Sequence, residues 1–243
     1  MSMIKIEAHC HSLGSSVCAL CTNEEIIKTY QSLGYGGVVL TNHYSISQVQ
    51  NEYAGLSDSQ RVDAFFALYD SLKSCGEKVG FKVFYGIEVR CAPTATEYMI
   101  VGFDKKFLYD NPNLYLLSQE QLFDLCQKEN AFMYQTHPFR AGVKCGNPKY
   151  MHGAECFNGH FHHVNYNAVA NDFCEKNNLI KMYGTDFHEN NQPVTSFMYI
   201  PDSIADSVQL GQYFLSGKAT GGGDDVYYEL ELKKYREAMG RCR

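Results

Sequence analysis

His9-Cys-His11 near one end of the chain and Asp186-Phe-His188 near the other are the residues best suited to chemistry. Between them stand His43, Glu88 and His137, each at the end of an apolar run that reads as a buried strand. Neutral imidazole offers nitrogen to borderline divalent cations, and a carboxylate can bridge two ions and offset their charge. His-x-His and Asp-x-His are individually weak signals. Together, in this order and at successive strand ends, they describe a cluster of metal ligands suited to hydrolysis.

The elements that must deliver these side chains follow from the residue pattern. Ile4-Lys-Ile-Glu-Ala8 is a short strand ending at His9 and His11, and residues two apart on a strand share a face. Thr22-Asn-Glu-Glu25 is a capping box that opens a helix to about Leu33, where Gly34 stops it. Residues 36–41 form a strand leading to His43, and a helix over about 59–80 carries Val62, Phe65, Phe66, Tyr69 and Leu72 near a helical period. The strand 81–85 leads to Glu88, and 97–102 is another apolar strand. Ser118-Gln-Glu-Gln121 caps a helix to about Glu129, after which 131–136 delivers His137. The strand 153–157 ends at Asn158-Gly159, and a helix over about 165–177 precedes the strand 180–183 that delivers Asp186 and His188. A helix over about 204–216 completes the alternation. Such alternation implies parallel pairing and a wound or closed sheet. Barrels of this class place their active sites at the C-terminal ends of the strands. Gly221-Gly-Gly223-Asp-Asp225 reads as a hinge before a charged tail, with residues 217–243 a peripheral element of one domain spanning 1–243.

With 243 residues, 45% hydrophobic and 20% charged, the chain is long enough for one α/β barrel and is not of disordered composition. A net charge of −6 and the absence of a basic run disfavour long nucleic acid as a partner, but not a small anion held by metals. Ten cysteines spread through regular segments, a first dozen residues unlike a signal peptide and no apolar run of membrane-spanning length predict a cytoplasmic protein with reduced thiols and no membrane partner. Cys18-Ala-Leu-Cys21 is a lone CxxC without a second pair. Its simplest reading is two incidental thiols before a helix, with Cys18 as an auxiliary metal ligand the alternative.

The motifs IEAHCHS, VVLTNHY, YGIEVR, QTHPFR and YGTDFHE, in this order, resemble those of the PHP (polymerase and histidinol phosphatase) superfamily of metal-dependent phosphoesterases. Intervening stretches such as EYMIVGF and AECFNGH also look like small stand-alone bacterial PHP proteins, and the resemblance runs from about residue 3 to residue 215. It implies an α/β fold, a distorted (β/α)7 barrel, with two or three divalent ions (zinc, manganese or iron) in a cleft. It assigns His9, His11, Glu88 and Asp186 to a first ion. Glu88 would bridge to a second, also bound by His137, and His43 and His188 would bind a third. Asp186 and His188 are the candidates for assisting proton transfer.

Two departures from the family pattern leave each outer site one nitrogen short. The histidine expected shortly after HxH is absent, with Ser15, Ser16, Val17 and Cys18 in that stretch, and Glu97-Tyr98 stand where another histidine is often found. A bound phosphate, waters, Glu97 or Cys18 would complete the shells. Asn42 precedes His43 where the family more often has Asp, which keeps the shape and loses a charge.

A metal-activated water and cations that neutralise phosphoryl oxygens suit phosphate-ester hydrolysis. The leading expectation is a small-molecule phosphomonoesterase. Histidinol phosphatase, a nucleotide phosphodiesterase or nuclease, and a non-catalytic metal-binding module are the rivals. Amidohydrolase barrels share HxH but differ in the remaining ligands. Arg140 is the candidate to grip a small phosphorylated substrate, with a surface ion pair as its bland alternative, and Arg90 is a weaker candidate. His160, His162 and His163 fall in a loop at the same end, where solvated histidines are common. The sequence leaves substrate, metal and oligomeric state open.

Overall fold

The computed structural model describes residues 2–224 and Lys233. The charged stretch from Tyr227 onward, Lys233 apart, lies outside the described residues. The strands are β1 (Met3–Cys10), β2 (Gly37–Leu40), β3 (His43–Tyr44), β4 (Lys82–Arg90), β5 (Glu97–Val101), β6 (Phe132–Gln135), β7 (Gly153–Asn158), β8 (Ile180–Gly184), β9 (Ser196–Pro201) and β10 (Thr220–Gly223). The helices are α1 (Asn23–Ser32), α2 (Ile46–Gln50), α3 (Asp58–Glu77), α4 (Lys105–Asp110), α5 (Gln119–Lys128), α6 (Asn167–Lys176) and α7 (Ser207–Leu215). The capping boxes expected at Thr22 and Ser118 are formed, and a third stands at Ser57.

Sheet order is β10-β9-β1-β2-β4-β5-β6-β7-β8, with β3 paired to β4. Seven of these strands, β1, β2 and β4 to β8, are the staves of a nearly closed, distorted barrel. Its ends meet at a parallel bridge between Cys10 and Phe187. There His11 N–H donates to the Phe187 carbonyl at 2.9 Å and Phe187 N–H to the His9 carbonyl at 3.1 Å. The seam of the barrel therefore lies among the candidate ligands.

The expected run of parallel strands is broken at β5, which pairs antiparallel with both β4 and β6. Only residues 91–96 separate β4 from β5, too short a link for the crossover that parallel pairing needs. The expected hinge at Gly221–Gly223 is instead part of β10, antiparallel to β9, which itself pairs antiparallel with β1. The glycines that suggested a hinge admit close neighbours: a Cβ on Gly221 would lie 2.6 Å from the Phe197 carbonyl oxygen.

One buried cluster draws Ile6, Ala8, Val39, Phe84, Met99, Val101, Phe132, Tyr134 and Met182 from six of the seven staves, and Leu210 and Phe214 from α7. Contacts among opposing strands place it inside the barrel, with α7 as its plug. Two other clusters form the outer layers: Cys10, Ile26, Tyr30, Val38, Leu40 and Leu72 under α1 and α3, and a larger group centred on β4 to β7. No helix among the described residues is long and apolar enough to cross a membrane, and all nine described cysteines are free thiols.

The plug fits because backbones touch. A Cβ on Gly102 (φ +91°) would lie 2.6 Å from Gly211 Cα, and one on Gly211 2.8 Å from the Val101 carbonyl oxygen. In an open helix Gly→Ala gains about 1 kcal/mol, whereas overpacking costs about 1–3 kcal/mol. Here the clash is with backbone and cannot rotate away. Gly211→Ala should therefore lower unfolding stability by about 1–2 kcal/mol in urea titrations, and a stabilised variant would contradict the packing.

Candidate metal centre

β1 delivers His9 through an irregularity in its pairing with β2 between Glu7 and Cys10. Bulges re-aim side chains, and this one lets His9 join the site although Ala8 already belongs to the interior. The backbone it disturbs is met by Glu7, whose Oε1 accepts from the N–H groups of Ala8 (2.9 Å), His9 (2.8 Å) and Thr185 (2.9 Å). Its Oε2 accepts from Tyr30 Oη at 3.0 Å. Burial raises the Glu7 carboxyl to about 7. One buried side chain thus joins the end of β1 to the end of β8.

His9, His11, His43, Glu88, His137, Asp186 and His188 converge at the same end of the barrel. Glu88 is fully buried: its Oε1 lies 3.3 Å from His9 Nε2 and 3.3 Å from His137 Nε2, and its Oε2 lies 3.6 Å from His11 Nε2. Asp186 Oδ1 lies 3.3 Å from His9 Nε2, and 3.4 Å from both His11 Nε2 and His188 Nδ1. Charge-assisted hydrogen bonds are shorter, about 2.7–2.9 Å. Two ligands on one tetrahedral ion, with metal–donor bonds of about 2.0–2.2 Å, sit about 3.4 Å apart. The spacing is that of shared coordination. His43 Nδ1 makes the one shorter contact, 2.7 Å from Glu88 Oε2.

His9 Nε2, both ring nitrogens of His11, His43 Nδ1, Glu88 Oε2 and His137 Nδ1 are buried without a well-formed hydrogen bond. Such groups are costly unless something meets them. Three groupings bring donor atoms within 4.8 Å of one another: His9, His11 and Asp186; His11, His43 and His188; and His43, Glu88 and Glu97. The donor set of imidazole and carboxylate fits divalent cations.

Other residues hold this set in place. His9 Nδ1 lies 2.7 Å from Glu155 Oε1, which leaves Nε2 for the cluster. Glu155 Oε2 accepts from the His137 N–H and from Asn158 Nδ2, both at 2.8 Å. Gly184 makes room for this pair: a Cβ there would lie 2.5 Å from both Glu155 Oε1 and His9 Cβ. Thr136 Oγ1 donates to Glu88 Oε1 at 2.8 Å. His188 Nδ1 lies 2.9 Å from the Asp186 carbonyl, and Gln192 bonds the backbone of Thr185, Asp186 and His188. His137 (φ +31°) and Asp186 (φ +56°) have left-handed backbones, a strain that concentrates at functional sites.

Charge is tightly balanced. Burial works to raise Glu88, but the neighbouring His9 and His43 hold it well below the usual carboxylate range. Burial likewise opposes ionisation of Asp186, and His9 and Arg140 prevail. Burial would lower His9, yet Asp186, Glu155 and Glu88 raise it well above an ordinary imidazole. His11 falls well below, through burial and then the His188 and His43 rings.

Glu97 enters the cluster because β5 is antiparallel: its first residue lies beside the C-terminal end of β4. Its Oε2 is 3.3 Å from His137 Nε2 and its Oε1 3.7 Å from His43 Nδ1. Arg90 does not stand free; it pairs with Glu97 Oε1 at 2.7 Å. Cys18 Sγ lies 3.7 Å from His43 Nε2, and although burial opposes it, His188 and His43 bring the thiol down to about 5. Cys21 is separate, its Sγ 3.4 Å from Asn190 Oδ1. Asn42 Oδ1 accepts from Ser12 N–H at 3.0 Å. Arg140 is 13% exposed and donates from Nη2 to Asp186 Oδ2 (2.6 Å) and Asn158 Oδ1 (2.8 Å), and from Nε to Asn165 Oδ1 (2.7 Å). It is neither a surface ion pair nor a free guanidinium. His160 is buried with its ring 5.2 Å from that of His188, while exposed His162 pairs with Glu189 at 2.7 Å. Glu7 and Glu155 were missed by the sequence reading, their signal being a lone carboxylate inside an apolar strand.

No family model and no curated protein matches the chain. Solved structures do. A two-domain protein from Bacteroides vulgatus containing a predicted PHP-like metal-dependent phosphoesterase superposes with a TM-score of 0.66 at 18% identity. The match covers 92% of this chain and 65% of that one, so this chain spans just under two thirds of its length. The fold is that of the PHP barrel. PsfC from Pseudomonas syringae superposes over 98% of this chain and 100% of its own, with a TM-score of 0.63 and 16% identity. A lesion-specific endonuclease from Pyrococcus furiosus aligns at a TM-score of 0.59 and 10% identity, over 90% of this chain and 57% of that one.

If the cluster is a cation site, metal should stabilise the fold by about 2.7 kcal/mol at a hundredfold excess over Kd. Thermal melts of chelated protein with and without zinc or manganese check this, and an unchanged Tm would contradict it. Glu155→Gln should fold and yet retain metal about 10–100-fold more weakly in equilibrium dialysis, because His9 loses its orienting partner.

Proposed function

We propose that the chain is a metal-dependent hydrolase of phosphate esters, acting on a small phosphomonoester. The observation that carries the reading is the ring of buried imidazoles around Glu88 and Asp186 at ligand–ligand spacing. Two or three ions of the zinc, manganese or iron type would be held by His9, His11, Glu88 and Asp186, by Glu88 and His137 with Glu97, and by His43 and His188. Such ions acidify water and neutralise charge on phosphoryl oxygens.

The chain's own groups have separable tasks. Glu88 offers both oxygens to different imidazoles and so fixes the spacing of the cluster. Arg140 holds Asp186 Oδ2 and directs Oδ1 toward three histidines. Asp186 Oδ1 would then be its metal-facing oxygen, and Asp186 and His188 are the proposed proton-transfer residues. Arg140 Nη1 has no partner among the described residues and is the donor left for a phosphoryl oxygen. His160, buried with its ring 5.2 Å from that of His188, is the proposed neighbour of the substrate's alcohol portion.

A nuclease is the second reading, favoured by the likeness to the lesion-specific endonuclease. The net charge of −6 weighs against long nucleic acid, whose binding relies on cationic side chains. Phosphate release from sugar phosphates, nucleoside monophosphates and histidinol phosphate, with bis-p-nitrophenyl phosphate and an abasic duplex alongside, separates the two. The expected result is turnover of one monoester class that disappears on chelation and falls at least about a hundredfold in Asp186→Asn. Cleavage of diesters alone would favour the nuclease, and inactivity with metal bound would point to a binding module.

A further inference from the structure

We infer that the Cys18 thiolate is a ligand of the ion at His43 and His188, which makes that end of the cluster zinc-selective. This rests on reading the cluster as a metal centre. The segment from Ser12 to Thr22 is pinned on both sides of the thiol. Ser12 N–H donates to Asn42 Oδ1 at 3.0 Å, and Leu13 N–H to the Cys21 carbonyl at 2.8 Å. Leu20 N–H donates to the carbonyl of His188 itself at 2.8 Å. Ser15, Ala19 and Cys21 are buried, so the exposed Cys18 is carried on an anchored loop.

The loop holds Sγ 3.7 Å from His43 Nε2 and 3.0 Å from Ser16 Oγ. Zinc bonds of about 2.3 Å to sulfur and 2.0–2.1 Å to nitrogen place two tetrahedral ligands about 3.6 Å apart. The His43 ring is poised for this arrangement, because Nδ1 lies 2.7 Å from Glu88 Oε2 and Nε2 is turned to the thiol. Nδ1 thus faces the Glu88 side of the cluster, which leaves Nε2 as the nitrogen nearest the thiol. Next to it, His11 is fully buried with neither ring nitrogen hydrogen-bonded, and it groups with His43 and His188 within 4.8 Å. Binding would release to solvent the proton held by the thiol and its neighbouring imidazoles, and give sulfur and two or three nitrogens as donors. Such a set favours zinc over manganese or magnesium, while the Glu97 side, richer in oxygen, lacks that preference.

Cobalt(II) loaded into the chelated full chain is the probe, since thiolate ligation gives a near-ultraviolet charge-transfer band. The wild type should show the band. Cys18→Ser should lose it while keeping cobalt and its visible bands from the remaining nitrogen and oxygen ligands. Zinc retention in Cys18→Ser should fall at least about tenfold in equilibrium dialysis, with manganese retention changed much less. Cobalt bound without the band, or a band that survives Cys18→Ser, overturns the inference and leaves the metal centre standing. A wild type that binds no cobalt, zinc or manganese overturns both.

Discussion

Everything at the mouth of this barrel depends on keeping four carboxylates together out of water. Glu88, Glu97, Glu155 and Asp186 are all at most 4% exposed. An uncompensated buried carboxylate is among the costliest things a fold can contain. Each is therefore met: Glu155 by His9, the His137 amide and Asn158, Asp186 by Arg140, Glu97 by Arg90, and Glu88 by Thr136 and a ring of histidines. One guanidinium on each of two carboxylates leaves an excess of negative charge that neutral imidazoles do not cancel. Protons on His9 and His43 are one way to cancel it, and divalent cations are another. The same groups thus serve both states of the site.

Regular strands alone would not bring these groups together. The irregularity in β1 points His9 inward, Glu7 satisfies the amides it disturbs, and Asp186 adopts a left-handed backbone that Gln192 braces. The closing bridge of the barrel lies between the residues flanking His9 and Asp186, so ligand placement and closure are one event. Folding the sheet shut and assembling the site draw on the same few hydrogen bonds.

Much of this was legible in the sequence. His9, His11, His43, Glu88, His137, Asp186 and His188 stood at strand ends, where hydrophobic periodicity stops and a polar residue must have a reason. What failed had physical causes. β5 reads as one more apolar strand, and strand direction is set by the length of the link before it, not by its own residues. Its reversal brought in Glu97. β9 alternates buried and partly exposed residues, and β10 is a glycine run with little intrinsic preference for a strand, held by pairing to β9. Glu155 and Glu7 lie inside buried runs, where a carboxylate marks a hidden hydrogen-bond hub that spacing rules do not detect.

Gly184 has a consequence for reading other chains of this kind. It bears no ligand atom, yet the contact between His9 and Glu155 passes through the space a side chain would fill. A homologous sequence could retain every histidine and acid and still be unable to seat them if that position carried a methyl group. Inventories of ligand residues would score such a chain as intact. The absence of a side chain before the Thr-Asp-Phe-His segment is therefore as diagnostic of a working centre as the acids and imidazoles themselves.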